Sequence, residues 1–276
     1  AGASAVRGLR EGGFLGRIRL IGAEAHRPYI RPPLSKDYLS GSADRESVFV
    51  EPEAWYVENN IELLQSTTVT AIHPAEHRCD LDDSIPIGYD KLLLATGSAP
   101  RRLTIPNADL DGMHYLRTLD DSETLHTLLA EGGRRLVLIG SGWIGMEVAA
   151  TARTLGNEVT ILERSPIPLA DALGDELGTM FADLHTENGV DLRPSVVVES
   201  IAGKDDRATG VALAGGEVVS ADLVLVERVV HHHLVGVHGA GPRELADAQR
   251  VEGGEAVRAH LQAGSDFAEL RGLFEH

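Results

Sequence analysis

Gly140-Ser141-Gly142-Trp143-Ile144-Gly145 sets three glycines between an apolar run rich in branched residues, "RRLVLIG", and a stretch in which Ile144, Val148 and Leu155 recur at helical spacing. A strand, a glycine turn and a helix in this order suit an anionic ligand. The first glycine permits the tight turn, the second lets backbone approach a pyrophosphate, and the third lets helix and strand pack closely. The helix N-terminus, opened by Trp143 and Ile144, adds free N–H groups and the positive end of its dipole. Gly156 and Asn157 stop the helix, and "EVTILE" follows as a second buried strand ending in Glu163, 23 residues after Gly140. A carboxylate there can accept hydrogen bonds from a ribose 2′-OH, which favours NAD, while the adjacent Arg164 leaves NADP open as the lesser choice.

The N-terminal stretch "AGASAVRGLREGGFLGRIRLIGAE" reads as the second half of another such unit. With Gly2 as its third glycine, the first residues form the helix and Glu24, 22 residues later, ends the next strand. On this reading the first strand and first two glycines of that unit are absent.

Other elements must position these turns. "DELGTMFADLHTENG" predicts a helix, and "VDLRPSVVVESIAG" and "ATGVALAGGEVVSADLVLV" predict short strands with glycine-rich turns. Upstream, "VTAIHPAEHRCDLDDSIPIGYDKLLLATGS" predicts strands with a hairpin, and "RPYIRPPLSK" a proline-rich loop. Alternating strands and helices followed by meanders indicate an α/β nucleotide-binding architecture in two similar units. Residues 227–276 read differently: they hold six of the twelve histidines, show no clear strand after "ERVV", and are compatible with helix from about Pro242. Their composition suits a shifted reading frame. His231, His232 and His233 do not form a metal set, because consecutive residues of a strand point to opposite faces.

A net charge of -17 argues against nucleic acid and anionic membrane as partners. The basic pairs Arg101-Arg102 and Arg134-Arg135 read as solvated loops. No apolar run is long enough to span a bilayer and no secretory leader is visible, so the expected location is the cytoplasm. Cys79 is the single cysteine, which rules out an intramolecular disulfide and a redox-active cysteine pair.

Two nucleotide-binding units with "RPPLSK", "LLLATGSAPR", "YLRTLDD" and "GSGWIGMEVAATAR" resemble the FAD-dependent ferredoxin reductase family, the branch of the pyridine nucleotide-disulfide oxidoreductase superfamily that includes putidaredoxin and rhodocoxin reductases. The resemblance runs from Ala1 to about Val226. It implies two Rossmann-like domains with parallel sheets and β-meanders, a partial FAD-binding domain over 1–108, an NAD(P)-binding domain over 109–226 and a divergent tail over 227–276, with the family's C-terminal interface domain missing. It also implies FAD and NAD as cofactors, hydride transfer from NADH to flavin, and a [2Fe-2S] ferredoxin as electron acceptor.

Residue by residue, the resemblance matches Ala1 and Gly2 to the end of the FAD turn, and Ala23 with Glu24 to the acidic end of the second strand. Val69 matches the backbone contact to adenine, Thr96 and Gly97 the loop crossing near the cofactor, and Arg117 an arginine contacting FAD. Lys36 matches a lysine beside the flavin ring and Glu147 a carboxylate facing the flavin–nicotinamide junction. An ion pair there can stabilise charge developing during hydride transfer. Thiol-based members of the superfamily need cysteine near the flavin, and the segment that would bear it reads "RPPLSKDYLSG", which leaves electron transfer. A fragment that binds a nucleotide without turnover, and another NADH-dependent flavoprotein of the same build, stay open as alternatives.

Overall fold

A computed structural model describes residues 1–82 and 85–227, together with the backbone of 235–238. In the N-terminal part the elements are α1 (Gly2–Glu11), β1 (Ile18–Ile21), α2 (Asp37–Ser40), α3 (Glu53–Glu58), β2 (Ile61–Leu64), β3 (Val69–His73), β4 (Arg78–Leu81), β5 (Ile87–Gly88) and β6 (Leu92–Ala95). There follow β7 (Met113–His114), α4 (Leu119–Leu129), β8 (Arg135–Ile139), α5 (Trp143–Thr154), β9 (Glu158–Leu162), α6 (Ala170–Leu173) and α7 (Asp175–Glu187). The order closes with β10 (Asp191–Arg193), β11 (Val198–Lys204), β12 (Arg207–Leu213), β13 (Val218–Ser220), β14 (Leu223–Val226) and β15 (Val235–His238).

The larger sheet runs β10-β9-β8-β14-β7 with every pairing parallel. Its alternation sorts side chains to two cores. Leu136, Leu138, Ile161, Leu223 and Leu225 face the helices and join Leu125, Met146 and Val148, whereas Val137, Leu162 and Val224 face Ile201, Val211 and Leu213. Those last three belong to the antiparallel meander β11-β12-β13. Leu138 is fully buried, a gain of about 1.5–3 kcal/mol over leaving it in water. The strand, turn and helix expected over 134–154 form as read, with the helix ending at Leu155 and Gly156 taking φ +81°.

The N-terminal helix α1 forms with Ala3 and Val6 inward, and Val6 packs with Ile18, Tyr56 and Ile61. Arg10 in its last turn donates to the carbonyls of Phe14, Gly16 and Asn59, satisfying both the loop and the end of α3. Strands β1 and β2 pair parallel, while β6 lies in a separate sheet with β15. Gly2 spans the two: a Cβ there would lie 3.3 Å from Leu20 Cδ1 and 3.8 Å from Ala95 Cβ.

Three expectations need correction. A strand does follow "ERVV": Val235–His238 pairs antiparallel with β6, because an open strand edge offers N–H and C=O groups that a backbone segment can satisfy. The proline-rich "RPPLSK" is not a loop throughout, since Pro32–Ser35 forms a 3-10 turn, its prolines at positions where no N–H is needed, and runs directly into α2. Of the two basic pairs, Arg135 opens β8 and is fixed by Asp222 at 2.7 Å, so only part of that pair is solvated loop. The helix expected from about Pro242 and the triple histidine lie outside the described residues.

A segment of the first unit is packed into the core of the second. Leu34, Leu39 and Val48 lie in the cluster formed by α4, α5 and the parallel sheet. Ser122 Oγ donates to the Leu34 carbonyl at 2.8 Å, Thr151 Oγ1 to that of Ser35 at 2.9 Å, and His126 Nδ1 to that of Leu39 at 2.8 Å. Among the described residues no helix is long and apolar enough to cross a membrane.

Candidate dinucleotide site

The turn after β8 is shaped by its glycines. Gly140 takes φ +106°, and a Cβ on Gly145 would come 2.7 Å from the Gly140 carbonyl oxygen, closer than two such atoms can approach. Helix α5 begins at Gly142, an N-cap without a side chain. Its first N–H groups therefore need an acceptor from elsewhere. Gly142 N–H donates to Glu227 Oε2 at 2.7 Å, so the turn holds a carboxyl oxygen supplied by the residue after β14. Burial pushes the Glu227 carboxyl up; the N–H groups of Gly142, Ile144 and Gly145 draw it back in part, and the charge of Glu163 adds to the rise.

Glu163 follows β9 and turns its carboxylate to the same place. It accepts from Ser141 N–H at 2.9 Å, Ser141 Oγ at 2.7 Å and Ser165 N–H at 2.7 Å. Burial works against its charge, but the hydrogen bonds from Ser165 and Ser141 outweigh burial and hold the carboxyl below its ordinary range. Trp143 is half exposed and meets Phe181 edge-on at 6.1 Å, and Arg164 is exposed beside Glu163. This donor set fits a dinucleotide: an anion seat at a helix N-terminus, with a charged acceptor at the end of the next strand.

Lys36 and Glu147 meet across the two units, Nζ to Oε1 at 2.6 Å, and Ser35 Oγ donates to Glu147 Oε2 at 2.5 Å. Glu147 is the fifth residue of α5, so the pair stands about one helical turn along from the glycine cradle. Its position follows from the clamp on Leu34, Ser35 and Leu39 already described.

Most of the remaining expected residues gather at a second location. Glu24 accepts from Tyr29 Oη and from Arg31 Nη2 at 3.1 Å, and Arg31 also donates to the Arg117 carbonyl. Burial, then the Glu24 hydrogen bond, pushes the Tyr29 phenol up to about 12, so it stays a donor near neutral pH. Arg117 Nε is buried with no hydrogen-bond partner among the described residues, and burial followed by the nearby Arg31 charge lowers its guanidinium. Gly97, at φ +70°, passes so close that a Cβ would lie 3.2 Å from Arg117 Nη2. An unanswered guanidinium N–H beside a bare backbone turn fits an anionic cofactor group. Gly2 and Ala95 adjoin, which brings Thr96 near the start of α1, where Ala1 is exposed and its carbonyl caps Ala5 N–H. Ala23 is exposed beside Glu24, whereas Val69 stands apart, at the start of β3 opposite Leu81.

The sequence reading missed Tyr29, Arg31, Ser35 and Glu227. A charged residue directly after the buried run "LVLV" was the available signal for Glu227, because ligands of open parallel sheets bind beyond the carboxyl ends of the strands. Cys79 is buried and burial raises its thiol, which makes it a poor nucleophile. His73 pairs with Asp80 at 2.7 Å. Among the described residues no group of three or more His, Cys, Asp and Glu side chains is placed to hold a metal ion.

Two parallel-stranded nucleotide units joined by a shared core define a pyridine-nucleotide oxidoreductase fold. Residues 1–228 match the family described as pyridine nucleotide-disulphide oxidoreductase, and the chain belongs to it. It is 43% identical over 226 residues to rhodocoxin reductase of Rhodococcus erythropolis, covering 82% of this chain and 53% of that protein. It is 36% identical over 269 residues to putidaredoxin reductase of Pseudomonas putida, covering 95% of this chain and 61% of that protein. The second match extends past Val226. The ferredoxin reductase for the CYP199A2 system from Rhodopseudomonas palustris is similar in structure, with TM-score 0.79 and 39% identity over 83% of this chain and 56% of that one. A covalent putidaredoxin reductase–putidaredoxin complex is similar at TM-score 0.78 and 37% identity, over 82% of this chain and 55% of that one. The chain spans about half the length of the curated relatives it matches.

Proposed function

We propose that this chain carries the two nucleotide-binding units of a cytoplasmic, FAD-dependent NADH:ferredoxin reductase, with FAD served by residues 1–108 and NAD by residues 109–226. The observation that carries the reading is the seat at Gly142, which already holds a carboxylate oxygen at 2.7 Å, with Glu163 beside it at the end of β9. Bound cofactors supply the redox chemistry, a hydride from nicotinamide to flavin and single electrons onward to a [2Fe-2S] ferredoxin.

The chain's own groups do the rest. Gly140, Gly142 and Gly145 leave room for a pyrophosphate, and the N–H groups of α5 bind it. Glu163 takes the ribose hydroxyls and prefers NADH to NADPH, since a 2′-phosphate would meet its negative charge. Arg117 offers its Nε to the other cofactor, with Glu24 as ribose acceptor. Lys36 and Glu147 hold opposite charges beside the point where the two rings would meet, and their mutual neutralisation keeps that point polar without net charge.

The test is purification followed by a visible spectrum: near-stoichiometric flavin absorbance, bleached by NADH, with faster reduction of a [2Fe-2S] ferredoxin than of simple quinones, supports the reading. A second reading, a nucleotide-binding protein without turnover, draws on two observations. The Glu227 carboxylate occupies the anion seat, and β1-β2 lies in a different sheet from β6. A colourless protein that still binds NADH supports that one.

A further inference from the structure

We propose that the Glu227 side chain is a built-in competitor for the dinucleotide's pyrophosphate, so that nucleotide enters the cradle only when this carboxylate swings out. The inference rests on the nucleotide reading given above and adds to it a residue that sets affinity from within. All three glycines border the same residue. A Cβ on Gly140 would lie 2.6 Å from the Glu227 carbonyl oxygen, one on Gly142 would lie 2.5 Å from both Oε1 and Oε2, and one on Gly145 would lie 3.5 Å from Oε2. The space left at Gly140 and Gly142 is therefore filled by one residue's carbonyl and carboxylate, while at Gly145 that residue lies behind the Gly140 carbonyl oxygen.

A helix N-terminus offers one small set of inward N–H groups, and Glu227 already takes that of Gly142. A pyrophosphate arriving at the same N–H groups meets a like charge there, with Glu163 adding a second carboxylate from β9. The backbone of Glu227 is anchored, its N–H donating to the Ile139 carbonyl at 3.0 Å, continuing the β14–β8 ladder. Departure is thus a rotation of the side chain about its own torsions, without unzipping the sheet.

The experiment is calorimetric titration of the full chain with ADP-ribose, which bears the pyrophosphate and no redox ring. Glu227→Gly is expected to bind it ~10-fold or more tightly than the unaltered chain, because an affinity discounted by self-occupancy is restored when the occupant is removed. Glu227→Gln, which keeps the shape and loses the charge, is expected to lie between the two and serves where the glycine variant melts markedly lower. Glu158→Gln removes one charge from the opposite end of β9 and is expected to change nothing. Affinities within about two-fold for the Glu227 variants and the unaltered chain, or an equal gain in Glu158→Gln, overturn the proposal and leave the nucleotide reading standing. No binding of ADP-ribose by any of the four chains overturns both.

Discussion

Lys36 Nζ lies 2.6 Å from Glu147 Oε1, although one residue follows a proline-rich turn and the other sits in the helix of a different nucleotide unit. Lys36 is about half exposed, and a pair of that kind contributes roughly 0–1 kcal/mol to stability. Its value therefore lies in where it places charge.

Lys36→Ala is accordingly expected to leave the melting temperature nearly unchanged while slowing NADH-driven flavin reduction by ~10-fold or more, the scale of removing one electrostatic stabiliser. Stopped-flow reduction and NADH titration are compared on the same protein. Equal losses in rate and in binding would show that Lys36 serves folding instead.

Glu163→Arg should shift nucleotide preference toward NADPH. The substitution removes the acceptor that Ser141 and Ser165 hold in place and brings a cation to the same spot. Dissociation constants for NADH and NADPH check this, with a change of at least ~10-fold in their ratio expected. An unchanged ratio would remove Glu163 from the ribose site.

Gly145→Ala should destabilise the second unit by about 1–3 kcal/mol through overpacking. The added methyl would sit 2.7 Å from backbone oxygen of Gly140, which has no rotamer by which to move aside. Urea midpoints read the loss. Gly133→Ala is the contrast: nothing lies within 4 Å of its Cβ, and φ +73° alone sets its smaller cost.

His114 on β7 sets a pH dependence. Burial holds its imidazole below the ordinary 6.5, with Asp121 opposing and Arg207 reinforcing. At this site the unfolded chain thus binds more protons than the folded one as pH drops below 6.5, so the His114 contribution to stability falls with pH across that window. Urea midpoints measured downward from pH 7 should decline, and His114→Gln should flatten the decline. Carboxylates held low, Glu163 and Asp222 among them, give their own loss only below the ordinary carboxylate range.

What could be read from sequence follows the reach of each interaction. The cradle was legible because strand, glycines, helix and Glu163 lie within one βαβ unit and each demand is local. The parallel sheet was legible for the same reason, its strands being continuous apolar runs. The hold on "RPPLSKDYL" was not, since Ser122, Thr151 and His126 reach Leu34, Ser35 and Leu39 from 88, 116 and 87 positions away. Glu24 shows the intermediate case: its place after β1 was readable, but its engagement by Tyr29 and Arg31 depends on a chain reversal that no periodicity encodes. Glu227 was not legible because the apolar pattern of β14 ends at Val226, one position before it.

The Ser122 and Thr151 hydroxyls grip the successive backbone carbonyls of Leu34 and Ser35 from two different helices. The lysine that follows is therefore aimed by the folded framework before any visitor arrives. Its conformational freedom is surrendered once, during folding, and not again each time a ligand arrives.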